Sequence, residues 1–203
     1  MAAQVNLRKS VVSGQFYPSN AEGLITLIAS FADKRAQKID CLGAVLPHAG
    51  YIYSGRVATQ TVSGIKIKEN VVLLGPNHTG QGAVFSLMTQ GSWQTPLGEV
   101  EINSKLAGLF LKKCRYLEND VLAHLDEHSL EVELPILQYF SQDFKIVPIA
   151  MMTDDLSRLS EVAQSLAEVI IENNLKSSTL LIASSDMTHY ESKAEARRKD
   201  ALA

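Results

Sequence analysis

The sequence predicts an α/β protein with a mixed, mostly parallel central sheet flanked by helices. Three observations carry this expectation. Short apolar runs rich in β-branched residues recur at 43–46, 71–74, 144–151 and 179–183, and continuous apolarity marks strands buried on both faces. Segments between them repeat apolar residues at the i, i+3, i+4 spacing of one-sided helices. Alternation of the two calls for helices layered on a parallel sheet. The 203 residues show no repeat, linker or low-complexity tract, so the chain reads as one domain over residues 1–203.

The elements follow in order. After Tyr17-Pro18, Ser19 with Glu22 forms a capping box for a helix whose inner face is Leu24, Leu27, Ile28 and Phe31. Gly43 to Leu46 reads as a strand closed by Pro47, and Ser54 as the N-cap of a helix through Val57, Ala58 and Val62. Val71 to Leu74 is a strand stopped by Gly75-Pro76-Asn77. Ala83 to Met88 reads as another strand, ahead of a polar loop that holds Trp93. Glu99 to Ile102 reads as a strand, and Asn103 caps a helix with Leu106, Leu109 and Phe110 inward. Ser129 to Phe140 has helical spacing, with a kink expected at Pro135. Phe144 to Met151 is a strand; Asp154-Asp155 supplies the acidic first turn of a helix lined by Leu159, Val162, Ala163, Leu166, Val169 and Ile170. Thr179 to Ala183 is the last strand, and a helix begins at Glu191.

Composition excludes several classes of function. Nineteen basic against 22 acidic residues give a net charge of −3, and the densest basic run, Arg197-Arg198-Lys199, sits among Glu191, Glu195 and Asp200. No electrostatic site for nucleic acid or an anionic membrane is expected. The first twenty residues contain no apolar targeting core, and no apolar run approaches the ~18 residues of a membrane span. A cytoplasmic protein is the expectation. Cys41 and Cys114 are the two cysteines, too few for a disulfide framework or an all-cysteine zinc site.

Four of the five histidines stand in short polar segments beside turn residues: His48 after Pro47, His78 after Asn77, His128 after Glu127, and His189 in Ser185-Asp186-Met187-Thr188-His189. His48, His78 and His189 each follow a strand, and in an open α/β sheet ligands bind outside the carboxyl ends of the strands. Imidazoles with a carboxylate suit iron, zinc or copper. The same residues also read as hydrogen-bonded loop histidines or as acid–base groups, and spacing alone does not choose. Asp186 reads either as a metal ligand, as an acceptor orienting an imidazole, or as a turn or cap residue. Glu127 and His128 can serve as acid and base at the same crevice. Tyr51, Tyr53, Asn77 and Trp93 are the expected pocket-lining residues, with core packing expected for at least one of the three aromatics. His124 reads as structural. No Walker loop, G-x-G-x-x-G, G-x-S-x-G or H-E-x-x-H is present.

Taken together, Gln15-Phe16-Tyr17-Pro18, Pro47-His48-Ala49-Gly50-Tyr51 with Ser54-Gly55, Gly75-Pro76-Asn77-His78, Thr95-Pro96-Leu97-Gly98, Glu127-His128-Ser129-Leu130-Glu131 with Leu134-Pro135, and Ser185-Asp186-Met187-Thr188-His189 resemble the Memo family in order and spacing. The resemblance is to the Memo-like component (protein B) of the AmmeMemoRadiSam gene neighbourhood in particular. It implies a fold shared with class III extradiol dioxygenases, and a pocket lined by His48, His78 and His189 with Asp186. It also implies a redox metal, iron first and copper as the alternative. Partners implied are AMMECR-type and radical SAM proteins, and, from animal relatives, a phosphotyrosine peptide in the same cleft. Family members usually continue into a segment with a pocket cysteine followed by glycine, which this chain lacks. Two functions follow as expectations: a non-haem metal-dependent oxidoreductase using Asp186, Glu127 and His128 in catalysis, or a non-catalytic module binding a peptide or partner in that cleft.

Overall fold

The computed structural model describes residues 7–202; the first six residues of the opening stretch read for a targeting segment lie outside the described residues. The elements run β1 (Leu7–Arg8), α1 (Ala21–Phe31), β2 (Gly43–Leu46), a π-helical turn (Tyr51–Gly55), α2 (Arg56–Ser63), β3 (Asn70–Pro76), β4 (Phe85–Leu87), β5 (Ser92–Thr95) and β6 (Gly98–Glu101). They continue as α3 (Ser104–Lys113), β7 (Glu118–Asn119), α4 (Leu122–Leu125), α5 (Glu133–Phe140), β8 (Lys145–Met151), α6 (Leu156–Glu172), β9 (Thr179–Ser184) and α7 (Lys193–Asp200).

The main sheet has the order β2-β9-β3-β8-β4-β7. Its neighbours are parallel except for the antiparallel pair β4–β8. Strand alternation explains why the sequence runs are apolar throughout. Val71 and Leu73 of β3 join a core formed with Leu24 and Ile28 of α1, Val62 of α2 and Leu134 and Leu137 of α5. Val72, between them, faces a second core with Phe110 of α3 and Val162, Leu166 and Val169 of α6. The α/β class with a mixed, mostly parallel sheet is therefore observed. Among the described residues no helix is long and apolar enough to cross a membrane.

Several local readings are corrected. The cap of α1 is Asn20, whose Oδ1 accepts from the Gly23 amide at 2.7 Å, one residue beyond the expected Ser19. Ser54 does not cap α2; its hydroxyl donates to the Ala49 carbonyl at 2.9 Å inside the π-helical turn. Pro135 is not in the interior of a helix as expected: α5 starts at Glu133, and a first-turn proline gives up an amide that has no helical acceptor. Trp93 lies in strand β5, not in a loop, and β5 forms a small sheet in the order β1-β5-β6. The cap expected at Asn103 holds, its Oδ1 accepting from Leu106 at the start of α3. Asp154-Asp155, expected as an acidic first turn, instead precedes α6, and Asp155 caps it by accepting from Ser157 and Arg158.

Candidate metal centre

β2, β9 and β3 are adjacent and parallel, so their carboxyl ends share one edge. His48, Asp186 and His78 each stand two residues past the end of their strand. The crevice at that edge is closed by the loop between α4 and α5, which carries Glu127 and His128. This loop is seated directly on β3: the Ser129 hydroxyl donates to the Pro76 carbonyl at 2.8 Å. A Cβ at Gly75 would lie 2.7 Å from Leu130 Cδ2 and 3.2 Å from Ser129 Oγ, so glycine permits the close approach.

The structure groups His48, His78 and His128, with one ring nitrogen from each within 4.8 Å of the others. His78 and His128 stack at 4.8 Å between ring centroids, and His48 meets both edge-on at 5.4 and 5.8 Å. Behind each ring stands an oxygen. His48 Nδ1 is 2.8 Å from Ser184 Oγ, His78 Nδ1 2.9 Å from Glu127 Oε1, and His128 Nδ1 3.4 Å from the same carboxylate oxygen. Glu127 also accepts from the His78 and Ser129 amides. Asp186 clamps the neighbouring loop, its Oδ1 accepting from the amides of His48 at 2.6 Å and Ala49 at 3.1 Å. Its Oδ2 is 3.2 Å from His189 Nε2 and 4.0 Å from His48 Nε2.

Electrostatics follow from this packing. Burial holds His48 below the ordinary imidazole value of 6.5, against the pull of Asp186, and the neighbouring His78 and His128 reinforce the shift. Burial likewise lowers His128 despite the nearby Glu127. Burial pushes the Glu127 carboxyl up, but hydrogen bonds from His78 and Ser129 outweigh it and hold the group below the usual glutamate value. Glu133, beneath Ser184, is fully buried and raised well above that value, chiefly by burial and then by the charge of Asp186.

Among residues expected at the pocket, His189 lies outside the three-histidine group, half exposed and stacked on Tyr190 at 4.2 Å. Asn77 braces the His78 loop: its side-chain amide donates to Gln81 O at 2.7 Å, and its Oδ1 accepts from the Thr79 amide. Tyr51 is buried, donating to the Val132 carbonyl at 2.6 Å beneath the α4–α5 loop. Tyr53 is 80% exposed. Trp93 is fully buried against Arg8 and His124, and so offers no surface to the cleft.

Sequence reasoning missed the layer behind the histidines. Arg8 and Glu131 form a buried ion pair, and Arg8 also donates to the carbonyls of His124 at 2.8 Å and Glu127 at 2.6 Å. Glu133 meets Ser184 at 3.1 Å. A signal for the two acids existed, since Glu131 and Glu133 interrupt the apolar run from Leu130 to Leu137. Arg8 had none.

The model of the family described as "Memo-like protein" matches residues 8–203. A MEMO1 family protein of Methanopyrus kandleri is 41% identical over 95% of this chain and 72% of its own length. One from Methanosarcina acetivorans is 42% identical over 97% and 72%, and one from Aquifex aeolicus 42% over 98% and 73%. The chain belongs to the Memo family. The six motifs that resembled Memo proteins lie within the matched residues, and three of them, at 47–51, 75–78 and 127–131, deliver the histidine group of this Memo domain.

Proposed function

We propose that this Memo protein is a non-haem metal-dependent oxidoreductase whose ion is held by His48, His78 and His128. The observation that carries this reading is the convergence of three imidazoles, each with an oxygen behind Nδ1. Hydrogen bonding at Nδ1 of His48 and His78 fixes Nε2 of each as the free donor, the arrangement seen behind metal-ligating histidines. Neutral imidazoles without thiolate suit iron or copper, and iron comes first because the family resemblance implies it. Such an ion would supply redox chemistry and polarise a substrate oxygen.

This chain's own residues do the rest. Glu127 orients His78 and bears on His128 through one carboxylate. Asp186, only 12% exposed at its side chain, fixes the His48 loop and faces His189. The Asp186–His189 pair at the rim is placed to exchange a proton with a bound molecule. A second reading, a binding module for a peptide, is favoured by exposed Ile52 and Tyr53 in the turn after His48 and by exposed Tyr190 beside His189.

Protein isolated without oxygen tests the proposal. Elemental analysis is expected to find stoichiometric iron or copper, and the loaded protein to take up oxygen with catechol probes. Bound metal without oxygen uptake favours the binding module; no metal, and none taken up on addition, removes the proposal.

A further inference from the structure

We propose that Ser184 and Glu133 form a buried hydrogen-bond relay that fixes His48 as its Nδ1–H tautomer, making both of them positioning residues of the histidine site. Ser184 Oγ has three polar neighbours: Ser129 O at 2.6 Å, His48 Nδ1 at 2.8 Å and Glu133 Oε1 at 3.1 Å. A hydroxyl offers one hydrogen and two lone pairs. The Ser129 carbonyl can only accept, and it is the nearest neighbour, so it takes the hydrogen. The other two contacts close only if both partners donate. His48 therefore carries its proton on Nδ1, and Glu133 is a neutral acid donating to Ser184.

The surroundings of Glu133 agree independently. Its second oxygen, Oε2, is buried with no hydrogen-bond partner among the described residues, and the residue is wholly enclosed. An ionised carboxylate in that position would leave a charge unpaired in a dry core, whereas the carbonyl oxygen of a neutral acid forfeits a single hydrogen bond. With Nδ1 committed, His48 Nε2 keeps its lone pair, on the side of the ring facing Asp186. His48 and His78 are thus fixed by different chemistry. His78 is backed by a carboxylate held below the usual glutamate value, and His48 by a neutral hydroxyl. Carboxylate backing raises the basicity of a ligand imidazole, so the relay makes His48 the weaker donor of the two.

The tautomer assignment stands with or without an ion; only its effect on affinity rests on the metal reading above. Nitrogen-15 imidazole spectra of the metal-free full chain are expected to show His48 as Nδ1–H. The infrared spectrum is expected to show a protonated carboxyl band that disappears in Glu133→Gln. Ser184→Ala should release the tautomer and weaken Co(II) binding by ~10 to 100-fold, whereas Glu133→Gln, whose amide donates in place of the acid, should keep both near wild type. An Nε2–H tautomer in the wild type, absence of the carboxyl band, or a Ser184→Ala variant unchanged in both readouts overturns the relay. If Ser184→Ala fails to fold, the wild-type tautomer and the carboxyl band decide. Wild-type protein that shows the Nδ1–H tautomer but binds no Co(II) supports the relay and removes the metal reading instead.

Discussion

His124 shows how much one enclosed side chain contributes to the acid response of the protein. It is fully buried, meets Trp93 edge-on at 5.7 Å and lies beside Arg8. Burial first, and the Arg8 charge second, lower it from 6.5 to about 4. Above pH 6.5 it is neutral in both the folded and unfolded chains and adds no pH dependence to stability. As pH falls from 6.5 toward 4 the unfolded chain takes up a proton that the folded chain refuses, so stability drops through that window, by up to about 3 kcal/mol from this residue. Urea unfolding at pH 7.5 and 4.5 should show the loss, and His124→Leu should reduce it; an equal loss in the variant contradicts the assignment. The sequence identified His124 as structural because no turn residue or strand end stands beside it. It gave less guidance on Glu131 and Glu133, whose acidic side chains suggest exposure until the fold shows which face of the loop they occupy.

At the scale of elements, β1 is two residues long, yet Arg8 ties it to the loop that carries Glu127 and His128. Its guanidinium lies over Trp93 at 4.3 Å, pairs with Glu131 and donates to the His124 and Glu127 carbonyls. Glu131 in turn accepts from the Val11 amide at 2.9 Å and the Tyr17 hydroxyl at 2.6 Å. Breaking one partner of a buried pair leaves the other charge uncompensated, so Arg8→Met should cost about 3 to 5 kcal/mol. Hydrogen exchange should show faster opening of the amides from 127 to 131; a loss below about 1 kcal/mol, within the range of a surface pair, contradicts the clamp. Long elements such as α6 and β8 were legible because burial marks many residues, as a helical period in α6 and as an unbroken apolar run in β8. Strand β5 was not: of its four residues Ser92 to Thr95 only Trp93 and Thr95 point inward, too short an alternation to separate from a polar loop, whereas its hairpin partner β6 was expected at 99–102. The π-helical turn was equally hidden, since Ser54 resembles a helix cap until its hydroxyl is seen on Ala49.

For the whole molecule, the strand order determines the site. Placing β9 between β2 and β3 brings segments 138 residues apart in sequence into hydrogen-bond contact, as in the Asp186 bond to the His48 amide. The sequence showed that His48, His78 and Asp186 follow strands and put Glu127 and His128 at the same crevice as an acid–base pair; it could not show that His128 would join the imidazole group itself, because that contact depends on the close seat over Gly75. In the proposed function His128, with His48 and His78, completes the ligand set, and His189 acts at the rim through Asp186. Optical titration with Co(II) of anaerobic wild-type protein and single alanine variants tests it most directly. His48→Ala, His78→Ala and His128→Ala should each lose at least the ~10 to 100-fold that removal of an outer partner costs, and His189→Ala less. Binding by the His48/His78/His128 triple alanine variant equal to wild type, or a greater loss in His189→Ala than in His128→Ala, contradicts it.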